Sequence, residues 1–246
     1  MIIDSHVHLK HGDAAGTEHS PQAIVEIMGA AGIDRSVVFA ISTTARRAIE
    51  MALEATEMFP DRLIPYAYAI PSFERPVVDE LREAVEEMGF QGIKIHRGVM
   101  SLADYIIDPV LRLASETGTP CLVDFAGDLQ AATRMATDLP DLKLIVCHFG
   151  LYLASRPEQI EPFIALAEER ANVWLDASGV LLDWMIADAA SRIGADRVLF
   201  GTDGPHAQPD LVEMARRCVR QIQNLELPEA DRTMILGGSI AKLLDL

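Results

Sequence analysis

The chain has 246 residues, half of them apolar and 24% charged, which is the balance of an ordinary globular protein. Aspartate and glutamate number 37 against 21 lysines and arginines, so the formal net charge is −16. This charge argues against nucleic acid and anionic membrane surfaces as partners, because both are bound through clustered basic side chains.

The three cysteines, Cys121, Cys147 and Cys218, cannot all pair and form no Cys-x-x-Cys motif. This usage is typical of a reducing compartment and predicts a cytoplasmic location. The N-terminal sequence MIIDSHVHLK has neither a basic region nor a long apolar stretch, which argues against a signal peptide. The apolar runs are also far shorter than the roughly 20 residues that span a bilayer.

Eight short apolar segments alternate with longer amphipathic stretches, and each segment is predicted to be a β-strand. The predicted strands are Ile2–His8, Ser36–Ile41, Leu63–Ala69, Gly92–His96, Pro120–Asp124, Leu142–His148, Asn172–Ala177 and Arg197–Thr202. Apolar residues at i, i+3 and i+4 predict helices between them. Ser20 and Asp108, each followed by proline, predict helix starts, and a closing helix is predicted over Ser239–Leu246 after a stop at Gly237 and Gly238.

Eight strand–helix units in a chain of this length predict an α/β fold, a single (β/α)8 TIM-type barrel domain over residues 1–246. An open doubly wound sheet is the alternative. A Gly-x-Gly-x-x-Gly motif after the first strand would favour that sheet, but the sequence there reads HVHLKHG.

All seven histidines fall at the C-terminal end of a predicted strand or in the loop that follows it. They are His6, His8, His11, His19, His96, His148 and His206. In a barrel these strand ends share one face, where such enzymes place their catalytic residues. Strand periodicity predicts that Asp4, His6 and His8 all face the barrel interior. Two imidazoles one pleat apart can bind a single cation, although a satisfied pair of core histidines is the alternative.

Three aspartates lie at, near or just after the ends of other predicted strands: Asp124 ends the fifth, Asp176 lies near the end of the seventh and Asp203 follows the eighth. Asp203, in DRVLFGTDGP, can bind a metal and take a proton from water, with a turn or helix-capping role as the alternative. Asp176 is interpreted as an ordinary turn residue, because Ser178 and Gly179 follow it.

Lys94 and His96 share one face of the fourth strand. If that face is the interior, Lys94 is a buried ammonium that requires a substrate anion, a neighbouring carboxylate or carbamylation. Arg97 can bind a substrate carboxylate through two hydrogen bonds. A structural ion pair with Asp4 or Asp124 is the alternative.

Six segments resemble, in order, the strand motifs of the amidohydrolase superfamily. They are MIIDSHVHL, GFQGIKIHRG, DLKLIVCHFG, NVWLDASG, DRVLFGTDGP and MILGGSIAKLLDL. The group they resemble, the amidohydrolase-related (amidohydrolase 2) group, holds decarboxylases of aromatic and muconate-type acids beside hydrolases and lactonases. The resemblance runs from residue 2 to the C-terminus and is specific to the superfamily, not to one reaction.

The resemblance implies that His6 and His8 are metal ligands, and that Asp203 is both a ligand and the proton acceptor. It implies that His148 polarises the substrate or steadies the attacking water. The implied cofactor is one divalent metal, zinc first, with manganese or iron as alternatives, which activates water for attack on an sp² carbon. The expected substrate-binding residues are Lys94, His96, Arg97 and His206.

One position departs from the family pattern. Mononuclear members carry a histidine at the end of the fifth strand, where this chain has Asp124. Asp124 can be a direct ligand, can hydrogen-bond to a ligand histidine, or can mark loss of the metal, as in a metal-free lactonase of this group. Ser239 replaces the usual asparagine and is interpreted as a helix cap.

These features predict an enzyme, a metal-dependent hydrolase of a small carboxylated lactone, ester or amide. The alternatives are a metal-dependent decarboxylase of an aromatic or unsaturated acid, a metal-free lactonase and a ligand-binding barrel without turnover. The expected partner is a small-molecule substrate, and a homo-oligomer is left open. Phe125, Tyr152 and Trp184 are assigned to packing in preference to the pocket.

Overall fold

A computed structural model of the chain describes residues 1–11, 16–71, 76–205 and 210–246. Within these ranges eight parallel strands form one sheet in chain order. They are β1 (Ile3–Leu9), β2 (Arg35–Ala40), β3 (Leu63–Ala69), β4 (Gly92–His96), β5 (Cys121–Asp124), β6 (Leu144–Val146), β7 (Val173–Asp176) and β8 (Val198–Leu199).

Backbone hydrogen bonds bring the last strand against the first. The amide of Ser5 donates to the Phe200 carbonyl at 2.9 Å, and the amide of His8 donates to the Gly204 carbonyl at 2.7 Å. The amide of Asp203 donates in the opposite direction, to the His6 carbonyl at 2.9 Å. The sheet therefore curls into a barrel, and the predicted fold class is confirmed.

A helix follows every strand, as a parallel sheet requires of its crossover connections. The helices are α1 (Pro21–Ala31), α2 (Ala45–Met58), α3 (Pro76–Glu86), α4 (Asp104–Thr117), α5 (Leu129–Asp138), α6 (Glu161–Glu169), α7 (Asp183–Ile193), α8 (Leu211–Gln223), α9 (Glu229–Thr233) and α10 (Ser239–Leu243). Among the described residues, no helix combines the length and the apolar character needed to cross a membrane.

One of the two predicted helix starts is correct. Ser20 caps α1, because its side chain accepts a hydrogen bond from the Ala23 amide. Asp108 does not begin a helix: α4 starts at Asp104 and contains Pro109. Burial of the apolar face of α4 outweighs the backbone hydrogen bond that this proline cannot donate.

The predicted stop at Gly237 and Gly238 is wrong. A π-helical turn over Met234–Gly238 joins α9 directly to α10. A Cβ atom on Gly237 would lie 2.4 Å from the Met1 carbonyl oxygen, so this glycine permits a close approach to the N-terminus. Ser239 is not a helix cap either, because its buried hydroxyl donates to the Ala195 carbonyl at 2.8 Å.

A β-bulge in β1 decides which of its side chains enter the barrel. Asp4 pairs with Ser36 and Val7 pairs with Val38, so three steps along β1 match two along β2. His6 and His8 face inward, where their rings contact Phe39.

Asp4 faces the helices, and the prediction that it shares the interior with His6 and His8 is wrong. It lines a small cavity beside Ile24 and Met28 of α1. Its carboxylate accepts hydrogen bonds from the Thr202 hydroxyl at 2.6 Å and from the Thr202 amide at 3.0 Å. Asp4 therefore ties β1 to the segment that follows β8.

Candidate functional site

The C-terminal ends of the strands surround an open cleft of about 210 Å³, which leaves room for a small molecule. It is lined by His6, His8, Lys10, Ile41, Lys94, His96, Asp124, His148, Tyr152, Asp203 and Pro205. The cleft thus lies on the barrel face that the positions of the histidines predict.

Three side chains converge at one point of the cleft. The Nε2 atom of His6 lies 3.1 Å from Oδ1 of Asp203, and the Nε2 atom of His8 lies 2.8 Å from the same oxygen. Asp203 has a φ of +56°, a left-handed conformation that costs energy outside glycine and is concentrated at functional sites. Burial raises the pKa of Asp203, but the adjacent His6 and His8 outweigh it and hold that pKa well below its usual range.

The other nitrogen of His6 is held from behind by Asp176. The Nδ1 atom of His6 lies 2.8 Å from Oδ2 of Asp176, which also accepts a hydrogen bond from the Ser178 hydroxyl at 2.5 Å. Burial raises the pKa of Asp176, but His6 outweighs this effect and lowers that pKa to about 2. Asp176 is therefore an anion that keeps the Nδ1 proton of His6 in place and leaves Nε2 directed at the cleft.

The sequence-based interpretation of Asp176 is half right. Its Oδ1 atom accepts the Ser178 amide at 3.1 Å, as a turn residue does, while its Oδ2 atom serves His6. The available signal was its position, since Asp176 ends its strand as Asp124 and His96 end theirs.

His148 lies beside His6 with its ring fixed by the backbone. The rings of His148 and His6 are stacked with their centroids 5.0 Å apart. The Nδ1 atom of His148 donates to the Ser178 carbonyl at 2.8 Å, so in the neutral ring Nε2 is the nitrogen that carries the lone pair. Burial, aided by His6, lowers the pKa of His148, so the neutral ring is favoured.

Lys94 is completely buried among these groups. Its Nζ atom lies 3.2 Å from Nε2 of His6 and 3.1 Å from Sγ of Cys147. Within the described ranges it forms no ion pair with Asp4 or Asp124, so the structural alternative for Lys94 is wrong. The β-bulge in β1 turns Asp4 toward the helices and away from Lys94, which explains why these two side chains do not form an ion pair.

The remaining predicted residues lie apart from the convergence point. Asp124 lines the opposite wall, where its Oδ2 atom lies 3.2 Å from Nε2 of His96. Arg97 points out of the cleft, and its Nη2 atom lies 3.1 Å from Oδ2 of Asp128 in a neighbouring groove. His206 lies outside the described residues.

Two polar residues that line the cleft were not assigned to it in the sequence analysis. Tyr152 was assigned to packing, but it lines the cleft and packs edge-on against His148, with the ring centroids 4.9 Å apart. Lys10 also lines it, and its position two residues after His8, just beyond the end of β1, was a usable signal. Of the other two aromatic residues, Phe125 is buried in the core as expected, whereas Trp184 is 58% exposed.

The donor atoms of this site suit a cation. One ligand atom from each of His6, His8 and Asp203 lies within 4.8 Å of the others, and the same holds for His6, Cys147 and His148. Imidazole nitrogens and a carboxylate oxygen are typical ligands of zinc. Burial and Lys94 lower the pKa of His6, but Asp203 and Asp176 outweigh them and raise that pKa well above its usual range. A cation bound between Nε2 of His6 and the Asp203 carboxylate would take the place of the proton that this pair otherwise shares.

No curated protein sequence matches the chain. Its fold is similar to that of several solved structures, each of low sequence identity. A probable 2-pyrone-4,6-dicarboxylic acid hydrolase from Acinetobacter baumannii is 17% identical, with a TM-score of 0.75, and the alignment covers 100% of this chain and 99% of that chain.

The names of two further similar structures refer to other reactions. A dihydroxybenzoic acid decarboxylase from Polaromonas sp. JS666 with bound manganese is 20% identical, with a TM-score of 0.74 and coverage of 100% and 97%. A 4-oxalomesaconate hydratase from Rhodopseudomonas palustris is 20% identical, with a TM-score of 0.72 and coverage of 100% and 96%.

The sequence match extends over nearly all of the chain. The model of the amidohydrolase family matches residues 3–246, from the strand that carries His6 and His8 to the C-terminus. This chain therefore belongs to the amidohydrolase family of enzymes.

Proposed function

We propose that this protein is a metal-dependent hydrolase of a small carboxylated lactone, ester or amide. The observation that carries the proposal is the convergence of His6 Nε2 and His8 Nε2 on one oxygen of Asp203 at the base of an open cleft. Two core histidines that served packing alone would not require a buried carboxylate anion aimed at both rings.

His6, His8 and Asp203 would hold one divalent cation, with zinc as the first expectation and manganese or iron as alternatives. Such a cation supplies Lewis-acid activation of water and of the substrate carbonyl. Asp203 would accept the proton of the attacking water at its carboxylate, which the adjacent His6 and His8 keep ionised. Asp176 keeps the His6 ring in a single orientation during this transfer.

His148 and Lys94 are assigned to the substrate. Neutral His148 presents Nε2 beside His6 and can interact with the oxygen that gains charge. Lys94 and Lys10 both line the cleft and provide positive charge for a substrate carboxylate. His96 lies at the rim, where its contact with Asp124 fixes the far wall of the cleft.

Metal content tests the proposal first. The protein is expressed with zinc, manganese and iron in the medium, purified without chelator and subjected to elemental analysis. We expect about one metal per chain, as a mononuclear three-residue site would bind, and loss of it in His6→Ala and His8→Ala. His11→Ala is the matched control, because His11 is exposed and contacts Glu18.

Turnover of a panel of carboxylated lactones, esters and amides, with and without chelator, tests the reaction. Hydrolysis that chelator abolishes supports the proposal. Hydrolysis by a metal-free protein would identify a metal-free lactonase, and binding without turnover would identify a ligand-binding barrel. Release of CO₂ from an aromatic or unsaturated acid would identify a decarboxylase that uses the same cleft.

A further inference from the structure

A second groove adjoins the catalytic cleft on the side of β6, β7 and β8. Tyr152 lines both spaces, and Thr202, next to Asp203, lies in the groove wall. The rest of its lining comes mainly from the two segments that follow β6 and β7 and from α8, and it includes Leu153, Val180, Leu181, Met214 and Arg217. The groove is therefore a continuation of the cleft away from His6 and His8.

The wall between cleft and groove has a defined shape. A Cβ atom on Gly179 would lie 2.6 Å from the Tyr152 ring, so the glycine leaves room for the ring beside His148. The Leu153 amide donates to the Gly179 carbonyl at 3.2 Å. On the far wall, the Gln221 side chain donates to the Val180 carbonyl at 2.7 Å and thereby ties α8 to the segment after β7.

The groove presents apolar side chains to solvent at an energetic cost. Leu153 is 49% exposed and Leu181 is 55% exposed. Leu153 also has a φ of +52°, which is unfavourable for a leucine. Neither the exposure nor the backbone strain serves the core, and both concentrate where a ligand would cover them.

One positive charge in the groove is unpaired among the described residues. Arg217 of α8 is exposed and forms no hydrogen bond or ion pair within the described ranges, whereas its neighbour Arg220 pairs with Glu213. Asp183 in the same groove accepts a hydrogen bond from Gln221 at 2.7 Å. In a chain of net charge −16, this groove nevertheless offers a free cation next to an apolar surface.

From this arrangement we infer that the groove binds the distal part of the substrate, an apolar chain or ring that ends in an anionic group at Arg217. The substrates are then acids whose carboxylate lies several carbons away from the reacting bond. This inference rests on the proposed function, since it places the reacting bond at His6, His8 and Asp203 in the cleft.

Calorimetric titration of the metal-loaded protein tests the inference with two unreactive probes of equal length. Octanedioic acid carries a second, distal carboxylate, octanoic acid does not, and neither has a bond that a hydrolase can cleave. We expect the diacid to bind about fivefold more tightly, as one partly exposed ion pair provides. Arg217→Gln should abolish that difference, whereas Arg112→Gln, the matched change on exposed Arg112 of α4, should preserve it.

A second variant tests the apolar part of the groove. Leu181→Gln should weaken both probes by roughly two- to threefold, because partial burial of a few methylene groups is lost. Equal affinities of the two probes for the unmodified protein, or an unchanged preference in Arg217→Gln, would overturn the inference. A dimer that Leu181→Gln converts to monomer, together with no probe binding, would assign the groove to a second copy and would also overturn it.

The proposed hydrolase function and the proposed substrate groove can be contradicted independently of each other. Probe binding that depends on Arg217 in a protein that hydrolyses nothing would keep the groove and contradict the proposed reaction. Hydrolysis of short and long substrates alike, with no effect of Arg217→Gln on kcat/KM, would keep the reaction and contradict the groove.

Discussion

Two walls of the cleft each place a histidine against an aspartate, yet the two histidines differ in which ring nitrogen the aspartate contacts. On the wall formed by β1, β7 and β8, the His6 ring has Asp176 at Nδ1 and leaves Nε2 directed at Asp203. On the wall formed by β4 and β5, the His96 ring accepts the Gly98 amide at Nδ1, 3.1 Å away, and has Asp124 at Nε2.

This difference shows that the second nitrogen of a histidine decides its role. A neutral His96 whose Nδ1 accepts an amide must carry its proton on Nε2, where it is donated to Asp124, so no lone pair remains for a ligand. A neutral His6 whose Nδ1 donates to Asp176 keeps the Nε2 lone pair for the cleft. Burial follows the same division, since the side chains of His6 and Asp176 are 0% exposed and that of His96 is 26% exposed.

The largest effect is expected from Asp203, on the wall formed by β1, β7 and β8. Asp203→Asn should lower turnover by a factor of roughly 10³, because the proton acceptor is lost. The fold should survive, since asparagine tolerates the left-handed backbone found at this position. Steady-state kinetics and thermal unfolding are the measurements. A folded variant with nearly full activity would contradict the role assigned to Asp203.

A smaller effect is expected from Asp176, which acts through His6. Asp176→Asn keeps the shape of the side chain but removes the anion that holds the Nδ1 proton of His6, so metal affinity should fall roughly 10- to 100-fold. Competition with a calibrated chelator measures that affinity. An unchanged affinity would show that the orientation of His6 does not depend on Asp176.

The smallest effect is expected from Asp124, on the opposite wall. Asp124→Asn should leave metal content at the unmodified level and change kcat/KM by less than about tenfold, the scale of one partly exposed contact. Elemental analysis of Asp124→Asn and Asp176→Asn, purified in parallel, compares their metal contents directly. If Asp124→Asn lost the metal and Asp176→Asn retained it, the division between the two walls would be reversed.

The location of the site could be predicted from the sequence because it depends on local patterns. Period-two alternation and strand length placed β3 and β4 at their observed bounds. Parallel connectivity then requires the residues at the strand ends to share one rim. The strand β6 is shorter than predicted, because the chain turns at Cys147–Gly150, where His148 and Phe149 have positive φ values.

The partner of each carboxylate could not be predicted, because these contacts are not local. His6 and Asp176 are 170 positions apart, and His8 and Asp203 are 195 apart. One inserted residue in β1 turned Asp4 toward the helices and brought His6 inward, and no alternation pattern records such a bulge.

The gathering of histidines and aspartates at the C-terminal face of a barrel follows from the amino-acid sequence alone, since it needs only strand order and parallel direction. The pairing of these side chains, with Asp203 and Asp176 on either side of His6 and Asp124 beside His96 at the rim, follows from the folded chain. The pairing depends on distances between residues that are far apart in sequence. A carboxylate acts on the ring within about 3 Å of it, and the register and curvature of the closed sheet set which ring that is.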